Sequence, residues 1–128
     1  MASSVSFLLS SADPDRLHRW YVDALRPDVS DVANGYRVVG FDGFFIMIDS
    51  RDDVSAKNPE PGRYIVNFDV DDARDVAARM DQLGVEWLAP LEDREGSLFA
   101  TVIDPDGNYV QIIQLSAEAK AQMAEQSA

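Results

Sequence analysis

A single histidine, His18, and no cysteine limit the chemistry open to this chain. Without a second imidazole there is no His-carboxylate zinc motif and no catalytic triad, and without thiols there are neither disulfides nor thiolate metal sites. His18 lies between the apolar positions Leu17 and Trp20 of a helical pattern, which makes it a boundary or surface residue. Carboxylates are plentiful, with 23 Asp and Glu against 11 Lys and Arg. Asp69 is the one with a distinctive setting. In the run RYIVNFDV (63–70), alternation puts Ile65, Asn67 and Asp69 on one side and Val66, Phe68 and Val70 on the other. A carboxylate on an apolar face is costly unless paired or solvated, so its expected partner is Arg37, Arg63 or a cationic ligand.

The elements that position such residues follow from turn and cap chemistry. Asp104-Pro105-Asp106-Gly107-Asn108 is a turn: Pro105 fixes φ, Gly107 tolerates φ > 0, and the Asp and Asn side chains bond nearby backbone. The β-branched and aromatic runs Leu98–Ile103 and Tyr109–Leu115 flank it, predicting a hairpin with a loop of about five residues.

From the start of the chain, Val5–Ser11 reads as a strand. Asp13 then caps a helix, with Pro14 at its first position and Asp15 at its positive end. Leu17, Trp20, Tyr21, Ala24 and Leu25 form the helix's apolar face, and Pro27 ends it. Asp28–Val32 is a weak edge strand. Asn34-Gly35 and Asp42-Gly43 are tight turns around the strands Tyr36–Phe41 and Phe44–Asp49. Residues 51–62 are a polar connector of the kind that links modules or covers a site. Arg63–Val70 is a strand, and Asp72 caps a helix with the stripe Val76, Ala77, Met80 and Leu83 that Gly84 stops. Val85–Leu88 is a short strand, Pro90–Gly96 a charged loop, and Ser116 the cap of a frayed tail helix over 117–126.

The order is strand, helix, three strands, twice over, an internal repeat with modules at about 3–50 and 63–115, a connector at 51–62 and a tail at 116–128. Aligning Asp13 with Asp72 matches Val5–Ser11 to Tyr64–Val70. Aligning the turns at Gly43 and Asn108 matches Phe44–Ile48 to Tyr109–Ile113. Each helix covers one face of its sheet, leaving the other to meet the partner half, another chain or a ligand.

Three segments carry a family resemblance. They are Ser11-Ala12-Asp13-Pro14-Asp15 with Trp20-Tyr21-Val22-Asp23-Ala24-Leu25, then Phe68-Asp69-Val70-Asp71-Asp72 with Leu83-Gly84-Val85, and Asp104-Pro105-Asp106-Gly107-Asn108-Tyr109-Val110-Gln111. With the repeat they span nearly the whole chain, which resembles the vicinal-oxygen-chelate superfamily of glyoxalases, bleomycin-resistance proteins and extradiol dioxygenases. The resemblance implies an α+β fold of two βαβββ modules, their curled mixed sheets around a concave cleft and their helices on the outer face. Catalytic members hold a divalent metal there through His, Glu or Gln on the first and last strands of each module. The repeat puts those positions at Ser6, Ile46, Ile65 and Gln111, and only Gln111 is a metal-competent type. An amide oxygen and a serine hydroxyl are poor ligands without a charged donor, so no metal and no other cofactor is expected.

Alternation from those positions makes the cleft face Ser6, Leu8, Ser10, Phe44, Ile46, Ile48, Ile65, Asn67, Asp69, Tyr109, Gln111 and Ile113. That is an apolar, aromatic surface with a few polar groups, the composition of a preformed site for an organic ligand. Trp87 would add a stacking surface for a planar ligand or cation. The ligand-binding set is therefore Ser6, Phe44, Ile46, Ile65, Asn67, Asp69, Trp87, Tyr109 and Gln111. No residue is assigned a catalytic role.

A net charge of −12 repels phosphate backbones and attracts cations, which argues against nucleic acid as a partner. No apolar run approaches the roughly eighteen residues of a membrane span, and Ser3–Leu9 lacks the basic lead-in of a signal peptide, so the reading is cytoplasmic with no membrane partner. The function expected is capture of a small organic molecule without a metal, a cationic antibiotic or an aromatic metabolite, by a homodimer whose partner covers sheet edges. The alternatives are a metal-dependent lyase, isomerase or dioxygenase using Gln111 with Asp49, Asp69 or Glu86, a metal-free enzyme with Asp69 as general base, or a partner-binding protein whose cleft is filled.

Overall fold

Asp13 and Asp72 each accept a hydrogen bond from the backbone N–H three residues on, at 3.3 Å from Arg16 and 3.1 Å from Asp75. These caps satisfy donors the helix cannot, and they start α1 (Pro14–Leu25) and α2 (Ala73–Gln82). In the computed structural model, which describes residues 2–127, each helix follows the first strand of a βαβββ module. The first module is β1 (Ser6–Ser11), α1, β2 (Val29–Ala33), β3 (Tyr36–Phe41) and β4 (Phe44–Ser50). The second is β5 (Val66–Asp69), α2, β6 (Glu86–Arg94), β7 (Ser97–Ile103) and β8 (Tyr109–Gln114), and α3 (Ala117–Ser127) follows it.

The chain forms two units. One holds the residues up to Glu60 with the turn Pro105–Gly107, the other Pro61–Asp104 and the residues from Asn108 on. In the first, the sheet order is β1-β4-β3-β2, with β1 parallel to β4 and the other pairs antiparallel. In the second, the order β5-β8-β7-β6 repeats that topology, again with one parallel pair, β5 and β8. The fold is α+β with two four-stranded mixed sheets.

Three hairpins close on pairs of left-handed residues, the geometry whose twist matches antiparallel strands. They are Asn34-Gly35 (φ 53° and 83°), Asp42-Gly43 (46° and 85°) and Glu95-Gly96 (54° and 90°). The third contradicts the expected loop at 90–96. β6 runs on through Pro90 to Arg94, at the edge of its sheet and with irregular register around Ala89, where a missing N–H is tolerated. At its far end Gly96 N donates to Asp93 Oδ1 at 2.8 Å. β5 is shorter than expected, starting at Val66, so Ile65 precedes the paired strand and is 43% exposed.

Each sheet buries the face its helix covers. In the first unit Leu17, Tyr21 and Ala24 of α1 meet the side of the sheet holding Val39, Ile46 and Ile48, all nearly inaccessible to solvent. In the second, Ala73, Val76 and Met80 of α2 are buried with Phe68, Ala100, Val102, Val110 and Ile112. Each Leu, Ile, Val, Phe or Met among them contributes about 1.5–3 kcal/mol when fully buried. The opposite face of each sheet carries no helix of its own module.

The turn after β7 is held by its own side chains. Asp104 is buried, and its carboxylate accepts from Asn108 N and Asn108 Nδ2, each at 2.9 Å, while Asp104 N donates to Asn108 O. Within the first unit, Asn58 N donates to Asp106 O and Lys57 Nζ to Pro105 O, both at 2.7 Å, and the Arg16 guanidinium reaches buried Asp106 at 3.4 Å. No helix among the described residues is long and apolar enough to cross a membrane.

Candidate functional site

Strand register decides which side chains share each helix-free face, because paired residues project to the same side. In the second unit the register builds three rows across the sheet. The first is Glu86, Ile103 and Tyr109, the second Ala89, Thr101, Gln111 and Asn67, and the third Glu92, Phe99, Ile113 and Asp69. A polar rung thus lies between two rungs centred on apolar and aromatic residues. Thr101, Gln111, Tyr109, Phe99 and Ile113 are half-buried, and Asn67 and Asp69 are exposed. At the hairpin edge the Arg94 guanidinium sits 5.2 Å from the Phe99 ring centroid and bonds Glu92.

In the first unit the corresponding rows are Val29, Gly40, Phe45 and Ser6, then Asp31, Val38, Met47 and Leu8, then Asp49 and Ser10. Leu8, Phe45 and Val29 are 51%, 40% and 44% exposed, an apolar surface left open to solvent. Gly40 has a specific use there. A Cβ on it would stand 2.8 Å from Phe45 Cε1 and 3.2 Å from Val29 Cβ, so only glycine lets the Phe45 ring lie against the sheet.

Several expected positions move. Ile46 pairs with Phe7 and Val39 on the face under α1 and is fully buried, as is Ile48, and Phe44 has the same parity at the strand's start. The open face of β4 is Phe45, Met47 and Asp49. Because Leu8 pairs with Met47 as Asn67 pairs with Gln111, Met47 is the counterpart of Gln111, one residue from the expected Ile46. The turn between β3 and β4 is shorter than the one between β7 and β8, and an alignment through the turns absorbs that difference as a shift in phase.

Trp87 is on the wrong side for stacking in an open face. It pairs with Val102 under α2, and its Nε1 donates to Asp81 of that helix at 2.8 Å. Arg37 is likewise engaged elsewhere, its Nε bonded to Asp15 of α1 at 2.5 Å. That guanidinium holds the Asp15 carboxyl below the ordinary aspartate range. His18 Nε2 hydrogen-bonds with Ser30 Oγ at 3.1 Å on the helix side of the first unit. Ser6, Asn67, Asp69, Tyr109 and Gln111 stand on open faces, and Ile65 lies just before the paired part of β5.

The residues at the family's metal positions do not fit a divalent metal. At the positions the family uses, the first unit offers Ser6 and Met47, and the second Ile65 and Gln111. Among the described residues no group of three or more His, Cys, Asp or Glu stands ready to hold an ion. A thioether, an alkyl chain, a hydroxyl and one amide lack the charge and donor count of a catalytic site.

Solved structures share this fold at low identity. A virulence protein from Salmonella typhimurium is 20% identical, with a TM-score of 0.70 over 89% of this chain and 97% of its own. An oxidase, ChaP-H2, is 18% identical with a TM-score of 0.72, covering 90% of this chain and 95% of its own. The fosfomycin resistance protein FosX from Mesorhizobium loti is 16% identical with a TM-score of 0.71, over 94% of this chain and 99% of its own. At such identities the likeness is one of fold. Among curated proteins, none matches the sequence significantly. The model of the glyoxalase-like domain matches residues 6–113, and with the paired βαβββ modules this makes the chain a member of the glyoxalase-like domain family, within the vicinal-oxygen-chelate superfamily.

Proposed function

We propose that the protein binds a small organic molecule on its helix-free sheet faces, without a metal, and that the ligand is a cationic antibiotic or an aromatic metabolite. The observation that carries this reading is the rung Thr101, Gln111 and Asn67, half-buried to exposed, set between rungs of Ile103 with Tyr109 and Phe99 with Ile113. Apolar surface supplies affinity, and a few fixed polar groups supply orientation. Asp69 at the end of its rung and a net charge of −12 favour a cation. The fosfomycin resistance protein among the structural neighbours fits a role in antibiotic resistance. The apolar open faces also favour a homodimer, and the composition a cytoplasmic protein.

The test is a thermal-shift screen of cationic antibiotics and aromatic metabolites, with metal analysis of protein purified without chelator. A ligand of the native state must raise the melting temperature. A screen with no stabilising compound overturns the binding reading. Stoichiometric nickel, zinc, manganese or iron overturns metal independence in favour of a lyase, isomerase or dioxygenase, a reading that the oxidase among the structural neighbours favours.

A further inference from the structure

The tail helix α3 reads as a surface element, since nearly all of it is exposed. Its start is nonetheless fixed to the second unit. Ser116 N donates to Oγ of the buried Ser97 at 2.9 Å, and Ser116 Oγ accepts from Ala119 N at 3.1 Å as the helix cap. From that anchor α3 presents two residues to a cavity of about 220 Å³ at the end of β5 and β8, lined by Asp69, Val70, Asp71, Ile113, Leu115, Lys120 and Met123. Lys120 and Met123 are the only basic and the only large apolar residue of the helix, and their spacing puts both on one side of it. A cavity of this size has room for one small organic molecule.

The charges are arranged by wall. Asp69 and Asp71 belong to β5 and the residues after it, Lys120 to α3, and Val70, Ile113, Leu115 and Met123 supply the apolar lining. Among the described residues none of the three charged groups is in an ion pair, so their opposite charges are available to a ligand. Asp69 and Ile113 also form the last rung of the open face, which makes the cavity continuous with the proposed binding surface of the second unit.

We propose that this cavity is the selective end of that surface and that Lys120 is its specificity-determining residue. The ligand is an amphoteric small molecule with an apolar body. Its ammonium meets Asp69 and Asp71, and its carboxylate or other anionic group meets Lys120. Met123 is the adaptable apolar wall, its unbranched thioether able to follow bodies of different shape. The inference rests on the binding function proposed above and narrows it from cations in general to molecules carrying both charges.

The experiment uses three probes with nearly the same apolar body: L-phenylalanine, phenethylamine and 3-phenylpropionate. Calorimetry on the full chain is expected to show phenylalanine binding at least about tenfold more tightly than either single-charge probe, the worth of one charge-assisted hydrogen bond. In Lys120→Gln, an exposed substitution that leaves the core alone, phenylalanine falls to the affinity of phenethylamine while phenethylamine is unchanged. Asp69→Asn weakens phenylalanine and phenethylamine and spares 3-phenylpropionate. Equal binding of all three probes, no binding of any, or an unchanged order in Lys120→Gln overturns the proposal. If it falls while antibiotics or other aromatic metabolites still raise the melting temperature, the broader binding function stands. If nothing raises it, both fall.

Discussion

The Phe45 ring lies against Gly40 in the neighbouring strand, where an alanine Cβ would approach ring atom Cε1 to 2.8 Å. Two effects compete in Gly40→Ala. Alanine lowers unfolded-state entropy, worth about 0.4–1 kcal/mol, while crowding in a packed place costs about 1–3 kcal/mol. The ring is partly exposed and able to swing away, but the Val29 Cβ at 3.2 Å belongs to a paired strand and yields less. Urea denaturation is expected to show a net loss of about 1 kcal/mol in Gly40→Ala. In a Phe45→Ala background most of that cost is expected to persist, because the Val29 Cβ stays in place, and a cost that vanishes there would assign the crowding to the ring instead.

Asp104 tests whether the motif DPDGN is structural. Its buried carboxylate accepts from both the backbone and side-chain nitrogens of Asn108. Hydrogen bonds to a charged group are worth about 1.5–3 kcal/mol, and Asp104→Ala leaves donors of the turn unsatisfied, so a loss of about 2–4 kcal/mol is expected. Asp104→Asn keeps one acceptor and is expected to lose about half as much. Ligand affinity per folded molecule is expected to hold in both variants, since the side chain serves the turn.

The Arg37–Asp15 pair sets a pH dependence whose sign is fixed. Because Arg37 depresses the folded-state pKa of Asp15, the pair's contribution to stability is present above the unfolded-state value of 3.8 and is lost as pH falls through the lower folded-state value. Both partners reach solvent, so salt is expected to screen the effect. NMR titration is expected to place the Asp15 midpoint below 3.8 and to raise it in Arg37→Gln. An unmoved midpoint in the variant would assign the shift to something other than the guanidinium.

Much of the frame is legible in the residues. The aspartate caps at 13 and 72 and the turns at Asn34-Gly35, Asp42-Gly43 and Asp104–Asn108 use side chains whose preferences are local, and with the apolar runs between them they mark out the two modules. The phase of β4 is not legible, since Phe44 to Ile48 is apolar at every position and alternation has nothing to count. In β8 the polar Gln111 breaks the run, and that face reads correctly. Trp87 misleads for a different reason. Its partner Asp81 lies on the preceding helix, and Pro90 hides the long edge strand in which it sits. The cavity against α3 leaves no signal, because only packing shows that Lys120 and Met123 turn toward the sheet.

The rung Asn67, Gln111 and Thr101 is where the proposed binding can be tested apart from stability. These polar groups lie between the apolar and aromatic centres of the flanking rungs, Ile103 with Tyr109 and Phe99 with Ile113, on a face that no helix of the module covers. Such placement does not serve the fold: a leucine at position 67 or 111 would add apolar contact with Ile113 and Tyr109 and remove no buried partner. The variants Asn67→Leu and Gln111→Leu are therefore expected to be as stable as the parent protein or more so, by about 0–1 kcal/mol in urea denaturation. Their affinity for any compound that stabilises the parent is expected to fall at least about tenfold, the worth of one oriented hydrogen bond in a half-enclosed site. Trp87→Phe is the matched control, since it loses only the bond to Asp81 on the helix side, at a cost of about 1 kcal/mol, and is expected to bind as the parent does. If the two leucine variants bind normally and the Trp87 variant does not, the ligand sits on the helix side of the second sheet, and the open face has some other purpose.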